Sequence, residues 1–210
     1  MAVVSKRFLI PVVALVAIGL ATGMFYMLGL PPFEKRGEIK ASDICESLGN
    51  PTKAVSALEA TLPSESEYSF EDTVTGKNVA QEGSSFTAAC FAYGDEETLL
   101  SARTEMLLTE PAESWADYAL DEKSESDRES FKAGSAGFIT ANNKAAVQVP
   151  CAKAGSIPGG EYSLSVVVDL KKKEASSEAE VRQGLKDLTI EAARYSHEKA
   201  KCNLPSELPE

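Results

Sequence analysis

The sequence predicts an α+β fold: an antiparallel sheet of about five to six strands packed by N- and C-terminal helices and preceded by one transmembrane helix. Three observations predict it. A stretch of 23 residues without a charged side chain lies near the N-terminus. Several later segments alternate apolar and polar residues, as half-buried strands do. Segments with helical periodicity and N-terminal capping residues lie at both ends of that alternating region.

The uncharged stretch runs from Phe8 to Leu30. A helix rises 1.5 Å per residue, so this one spans a hydrocarbon core of about 30 Å. Lys6 and Arg7 precede it and Pro31-Pro32 ends it. The prediction is a cytoplasmic N-terminus over residues 1–7, a signal anchor over 8–30 and a linker over 31–40.

A cleaved signal peptide is the alternative interpretation of the same stretch. Its apolar region would end near Leu20, and Ala21-Thr22-Gly23 would supply small residues at the cleavage site. The apolar run continues to Leu30, however, which would leave a mature N-terminus exposed and hydrophobic. The uncleaved anchor is therefore favoured.

Charge is unevenly distributed along the chain. All 32 Asp and Glu lie at or beyond Glu34, together with all the Lys and Arg except Lys6 and Arg7. So acidic a segment argues against nucleic acid as a partner. Long acidic domains cross membranes largely regardless of flanking charge. The predicted location is therefore the cell membrane, single-pass, with residues 41–210 as an extracytoplasmic domain.

Four cysteines follow the apolar stretch: Cys45, Cys90, Cys151 and Cys202. They form no Cys-x-x-Cys pair, and the chain has one histidine, so two disulfides are predicted in an oxidising compartment and no metal site. Four cysteines allow three connectivities. Cys90 and Cys151 share strand parity with apolar neighbours, whereas Cys45 and Cys202 lie on terminal helical segments. The favoured hypothesis is Cys90–Cys151 within the sheet and Cys45–Cys202 between the ends.

The helices are predicted from their caps. Ser42 begins a helical turn that Gly49 ends, and Asn50-Pro51 begins a helix that closes at Pro63. Pro111 opens a short helix. The last helix begins at the capping box 177–180 (Ser-Glu-Ala-Glu) and carries an apolar stripe at helical spacing.

The strands are predicted from alternation and turn residues. They are placed around 68–74, 86–93, 98–108, 137–141, 144–149 and 162–168. Residues 98–108 also suit a helix by composition, but the Gly94-Asp95 turn before them favours a hairpin. Asn142-Asn143 is a second predicted hairpin turn. Residues 76–78 are read as a turn, 121–130 as a solvated loop and 155–160 as a loop.

Several of these segments carry a resemblance. Asp43-Ile44-Cys45, Cys90 in a strand, Val149-Pro150-Cys151, residues 162–166 (Tyr-Ser-Leu-Ser-Val) and a helix ending in Cys202 resemble a diffuse group of uncharacterised exported or single-pass membrane proteins of high-GC Gram-positive bacteria. The resemblance implies the topology and the disulfides. It implies no activity and no catalytic residue.

No predicted active site emerges from the motifs. Ser196 and Lys199 have Ser-x-x-Lys spacing, but they lie at a helix end without the partner motifs of penicillin-binding enzymes. His197 is predicted to be exposed, and no Gly-x-Ser-x-Gly elbow is present. No catalytic residue, cofactor or metal is predicted, and an enzyme is the less favoured interpretation.

The acidic stretch 110–130 gives the one weak binding candidate. It lacks the Asp-x-Asp-x-Asp-Gly loop of calcium sites. Trp115, Tyr118 and Asp117 are weak candidates for a sugar- or protein-binding patch, although core packing is favoured for the two rings. The predicted function is a membrane-anchored extracytoplasmic binding or interaction domain, with a cell-envelope protein as a possible partner. The alternatives are a carboxylate-dependent hydrolase acting on cell-wall glycans and a support for a larger membrane complex.

Overall fold

The computed structural model describes residues 36–80, 85–121, 128–141, 143–172 and 177–210. Residues Glu38–Glu210 form one compact unit that contains both disulfides. The predicted transmembrane helix at 8–30 lies outside the described residues. Within the described ranges, none of the helices combines the length and the apolar composition that a membrane crossing requires.

The predicted α+β class is confirmed. The described part of the chain contains the elements α1 (Pro51–Thr61), β1 (Ser69–Lys77), β2 (Ser85–Gly94), β3 (Glu97–Leu108), α2 (Ala112–Leu120), β4 (Arg128–Ser130), β5 (Ala136–Thr140), β6 (Lys144–Ile157), β7 (Gly160–Leu170) and α3 (Glu178–Lys199), with a short 3-10 turn at Glu46–Leu48. The strands form one antiparallel sheet in the order β1-β2-β3-β7-β6-β5-β4.

The sheet therefore has seven strands in the described region, not the predicted five to six. The extra strand is β4, which has three residues and pairs only with β5. It lies within the stretch read as a solvated loop, because three residues are too few to show an alternating pattern. Strand β6 is also longer than predicted. It continues through the polar segment 153–156 to Ile157, so the predicted loop over 155–160 is a tight turn at Pro158-Gly159.

Caps explain where the helices begin. The Asn50 side chain accepts hydrogen bonds from the backbone N–H groups of Thr52 and Lys53, each at 3.1 Å, and Pro51 occupies the first helical position. This confirms the predicted start of α1. The predicted last helix is also present, but Ser177 makes no capping hydrogen bond through its side chain. The capping-box interpretation of residues 177–180 is wrong in that detail.

Helices α1 and α3 pack on one face of the sheet and enclose most of the core. Leu58, Leu185 and Leu188 from the helices and Val168 from β7 are fully buried in one cluster. Gly184 lies where the two helices cross, and a Cβ atom there would approach Thr61 Oγ1 to 2.2 Å. Glycine therefore permits the close approach of α1 and α3.

Helix α2 packs on the opposite face of the sheet. Its Trp115, Ala116 and Leu120 are buried against Phe138 of β5 and Ala146 of β6. Strand β1 lies at the far edge and pairs only with β2. Residues 71–77 are exposed, with Val74 at 42%, so the predicted half-buried alternation is wrong there. The predicted turn at 76–78 is replaced by strand up to Lys77.

The disulfides link Cys45 to Cys90 and Cys151 to Cys202, with Cα–Cα distances of 5.9 Å and 4.4 Å. The predicted pairs Cys90–Cys151 and Cys45–Cys202 are wrong. Cys90 and Cys151 do point into the core, but β2 and β6 are separated by β3 and β7. Three strand spacings amount to about 14 Å, beyond the reach of a disulfide. Each bond instead joins a strand to a segment that flanks the helical layer.

Candidate functional site

A cleft lies beside α2 on its face of the sheet. Residues 101, 103 and 105 of β3 point to this face, and they pair in register with Asp169, Val167 and Ser165 of β7. Helix α2 contacts β5, β6 and β7 and covers the sheet no further. The side chains at 101, 103 and 105 therefore border an opening. The opening has a volume of about 280 Å³, with Tyr118 and Ala119 on its helical side and Lys144 and Lys171 at one end.

Two polar groups in the cleft make no side-chain hydrogen bond or ion pair to a described residue. Ser101 is only 5% exposed, and its hydroxyl makes no hydrogen bond to a described residue. Arg103 is exposed, its guanidinium stands 5.5 Å over the Phe91 ring, and it forms no ion pair with a described carboxylate. Buried polar groups in folded proteins are normally hydrogen-bonded. The buried hydroxyl of Ser101 departs from that rule, and the exposed guanidinium of Arg103 beside it is free to meet a ligand.

The remaining charges of the cleft are largely balanced. Lys171 forms an ion pair with Asp169, and Lys144 Nζ lies 3.8 Å from the same carboxylate. Glu105 is the second acid, and its nearest described partner is the Tyr118 hydroxyl at 3.5 Å. Among the described lining residues, three cations face two carboxylates, so the cleft carries one net positive charge in a chain of net charge −11.

Helix α2 is held in place by Trp115, which packs between the helix and the sheet next to the cleft. Its side chain is buried, its Nε1 donates to Ser165 Oγ at 2.9 Å, and its ring lies 6.4 Å from the Phe138 ring. Because Ser165 belongs to the cleft lining, this hydrogen bond fixes α2 relative to β7. The width of the cleft thus depends on Trp115.

An ion-pair cluster supports the other side of α2. The buried guanidinium of Arg128 donates to Asp117 at 2.7 Å and to Glu113, and it lies 5.3 Å over the Phe138 ring. Burial lowers the pKa of Arg128, but the hydrogen bond that it donates to Asp117 and the two carboxylate charges outweigh burial and raise that pKa above its usual value. The guanidinium therefore stays charged and ties β4 to α2.

The structure separates the three predicted binding candidates. Trp115 is a core residue, as the favoured interpretation expected. Tyr118 is 63% exposed at the cleft mouth, so core packing is wrong for this ring. Asp117 faces Arg128 and does not line the cleft. Of the three, only Tyr118 belongs to the cleft.

The other motifs have structural roles in the described protein. Ser196 is fully buried with its hydroxyl 3.0 Å from that of Thr104, while Lys199 pairs with Glu46 at 2.9 Å. These two side chains therefore have different partners. His197 is half-buried, not exposed, with Nε2 2.9 Å from the Leu204 carbonyl oxygen.

Carboxylates elsewhere do not form a second site. The described residues contain no cluster of three or more potential metal ligands. Glu65 accepts a hydrogen bond from Lys172 at 2.8 Å, which lowers the pKa of Glu65. The contact between Glu65 and Asp95 raises the pKa of Asp95. A pair of carboxyl groups in direct contact leaves no room for a sugar between them.

A larger cavity of about 640 Å³ lies between α1 and α3. The charges at its centre are paired: Glu191 accepts from Lys53 at 3.0 Å and lies 3.6 Å from Arg194. Arg194 also donates to the Pro209 carbonyl oxygen at 2.6 Å. The smaller cleft beside α2 is the better candidate because it contains a buried hydroxyl, that of Ser101, without a hydrogen bond to a described residue.

Of the ten described residues that line the cleft, the sequence patterns indicated only Tyr118. The alternation of β3 contained a signal, since polar residues 101, 103 and 105 alternate with the apolar ones that predicted the strand. The pattern does not reveal which strand pairs with β3 or how much of the sheet α2 covers. Those facts depend on the β3–β7 pairing.

Fold and site together define a disulfide-linked α+β domain with a small polar cleft on one sheet face. No protein-family model, no curated protein and no solved structure matches the chain.

Proposed function

We propose that this chain is a membrane-anchored extracytoplasmic binding domain, not an enzyme, and that its ligand occupies the cleft between α2 and the sheet. One observation carries the proposal. The buried hydroxyl of Ser101 and the guanidinium of Arg103 lack described partners and line the same opening. Convergent polar groups in a preformed concave site are typical of small-ligand recognition.

The proposed location draws on different support. Two disulfides indicate an oxidising compartment. The 23-residue uncharged stretch at 8–30 has the length and composition of a membrane span. The resemblance to exported proteins of high-GC Gram-positive bacteria supports the same topology. A cell-envelope protein that carries the ligand group is a possible partner.

The alternative, a carboxylate-dependent hydrolase of wall glycans, has less support from the cleft. Glu105 pairs in register with Ser165, and Asp169 lies four residues further along β7. That places the two backbones about 13 Å apart along the strand. Glycosidases hold their two carboxyl groups roughly 5–9.5 Å apart. Lys144 and Lys171 also hold Asp169.

Photo-crosslinking in intact cells tests the proposal. A benzophenone amino acid replaces Tyr118 at the cleft mouth in the full chain, and the matched control carries it at Val74, which is exposed on the edge strand. We expect an adduct of defined mass from position 118 and none of that mass from position 74. Combining it with Arg103→Met should reduce the yield at position 118 at least threefold.

Equal adducts at both positions, or no adduct at position 118, would contradict binding at the cleft. The alternative makes its own prediction for wall glycan fragments incubated with the purified full chain. Cleavage that Glu105→Gln or Asp169→Asn abolishes would replace the binding proposal with the hydrolase.

A further inference from the structure

We infer that the ligand is a small monocarboxylate, whose carboxylate is held by Arg103 and Ser101. This inference rests on the proposed function and names the chemistry of its ligand. It follows from the charge of the cleft, from the geometry of its two unpartnered groups, and from the walls that remain for the rest of the molecule.

The charge of the cleft matches one negative charge. Its described lining sums to a single positive charge, with Glu105 and Asp169 close to the cations. A dianion such as a phosphate monoester would meet both carboxylates and the field of a chain with net charge −11. A cationic ligand would have to lie against Arg103. A monoanion is attracted by the net positive charge of the lining, and the carboxylates repel it about half as strongly as a dianion.

The geometry matches a planar anion. Phe91 supports one face of the Arg103 guanidinium at 5.5 Å, which leaves the N–H edges available to a ligand. A guanidinium binds a carboxylate through two parallel N–H···O hydrogen bonds. Ser101 lies two residues earlier on the same strand face, roughly 7 Å away at the backbone. Its hydroxyl can donate to the same carboxylate, which would satisfy a group that the protein alone leaves unpaired.

The walls indicate what the carboxylate is attached to. Val167 lies opposite Arg103 in the register, and Tyr118 and Ala119 form the helical side of the cleft. These side chains offer apolar and aromatic contact to a compact group. A volume of about 280 Å³ lies just below the usual range for ligand pockets, which begins at about 300 Å³. The ligand is therefore a small molecule or the terminal group of a larger one.

An NMR titration of the isotope-labelled full chain in a non-ionic detergent tests this inference. The probes are phenylacetate, its neutral amide phenylacetamide, and phenyl phosphate. We expect phenylacetate to shift the amide signals of Ser101, Arg103 and Val167 in a saturable way. The amide should bind at least tenfold more weakly, because it lacks the charge that Arg103 recognises. Phenyl phosphate should also bind more weakly than phenylacetate.

Variants assign the effect to the two residues. Arg103→Met should weaken phenylacetate binding by about tenfold or more, and Arg103→Lys should recover part of that loss. Ser101→Ala should weaken binding roughly threefold. The control Lys132→Met removes an exposed cation outside the cleft and changes net charge equally, so it should leave the affinity unchanged.

The inference is overturned if phenylacetamide binds as well as phenylacetate, or if phenyl phosphate binds more tightly than phenylacetate. It is also overturned if phenylacetate shifts none of these amide signals. The same holds if Arg103→Met leaves the affinity for phenylacetate unchanged in a protein whose spectrum shows the native fold. Any of these results leaves the proposed function intact when the crosslinking at position 118 succeeds. Failure of the crosslinking together with a silent titration would remove both.

Discussion

Replacing both Cys45 and Cys90 with alanine should lower the free energy of unfolding by about 4 kcal/mol. The bond closes a loop with a sequence separation of 45 residues. Without it, the unfolded chain gains conformational entropy, which lowers the free energy of unfolding by this amount. Both sulfurs are also buried, so their removal reduces core packing. Urea unfolding of the full chain, followed by the fluorescence of its single tryptophan, measures the change.

The double variant of Cys151 and Cys202 is the matched comparison. Its loop separation is 51 residues, so the loop-closure contribution is nearly the same, about 4 kcal/mol. Cys202 is partly exposed, so its replacement removes less packing and this pair should be the less damaging one. If both double variants unfold within about 1 kcal/mol of the original chain, the disulfides are not the main cross-links of the fold.

Replacing Trp115 with alanine should destabilise the domain by about 3–5 kcal/mol, the usual range for a buried tryptophan. The change leaves a cavity between α2 and the sheet and removes the donor to Ser165. Because that contact holds α2 beside the cleft, phenylacetate binding should be lost as well. Urea unfolding followed by circular dichroism measures the first effect, since this variant has no tryptophan.

Two control variants separate the contributions of Trp115. Trp115→Phe keeps an aromatic ring but loses the hydrogen bond to Ser165, so it should cost less than the alanine variant. Tyr118→Ala, on the same helix but 63% exposed, should change stability by no more than about 0.5 kcal/mol. If Trp115→Ala were equally mild, α2 would not be held by this side chain.

The element types were predictable because they depend on local pattern. Asn50-Pro51 begins α1 by capping chemistry that involves only adjacent residues. The ambiguous segment 98–108 is a strand in a tight hairpin, as predicted. The turn residues are Asp95 and Glu96, both with positive φ, one position beyond the predicted Gly94-Asp95. Strand β4 could not be predicted, since its three residues are strand only because β5 lies beside them.

The disulfides and the cleft depend on the order of strands, which local pattern does not specify. The alternation of inward and outward side chains correctly placed Cys90 and Cys151 in the core. It could not show that β3 and β7 lie between β2 and β6, the strands that carry these two cysteines. The same insertion of β7 beside β3 brings Asp169 opposite Ser101 and creates the polar row of the cleft. Long-range pairing therefore explains both the wrong connectivity and the missed site residues.

Peptide mapping of the chain isolated from cells, alkylated before any reduction, would address the proposed compartment and the fold in one measurement. We expect cross-linked peptides joining Cys45 to Cys90 and Cys151 to Cys202, with no cysteine available to the alkylating reagent. Recovery of four alkylated cysteines from freshly lysed cells would contradict it and place this domain in a reducing environment.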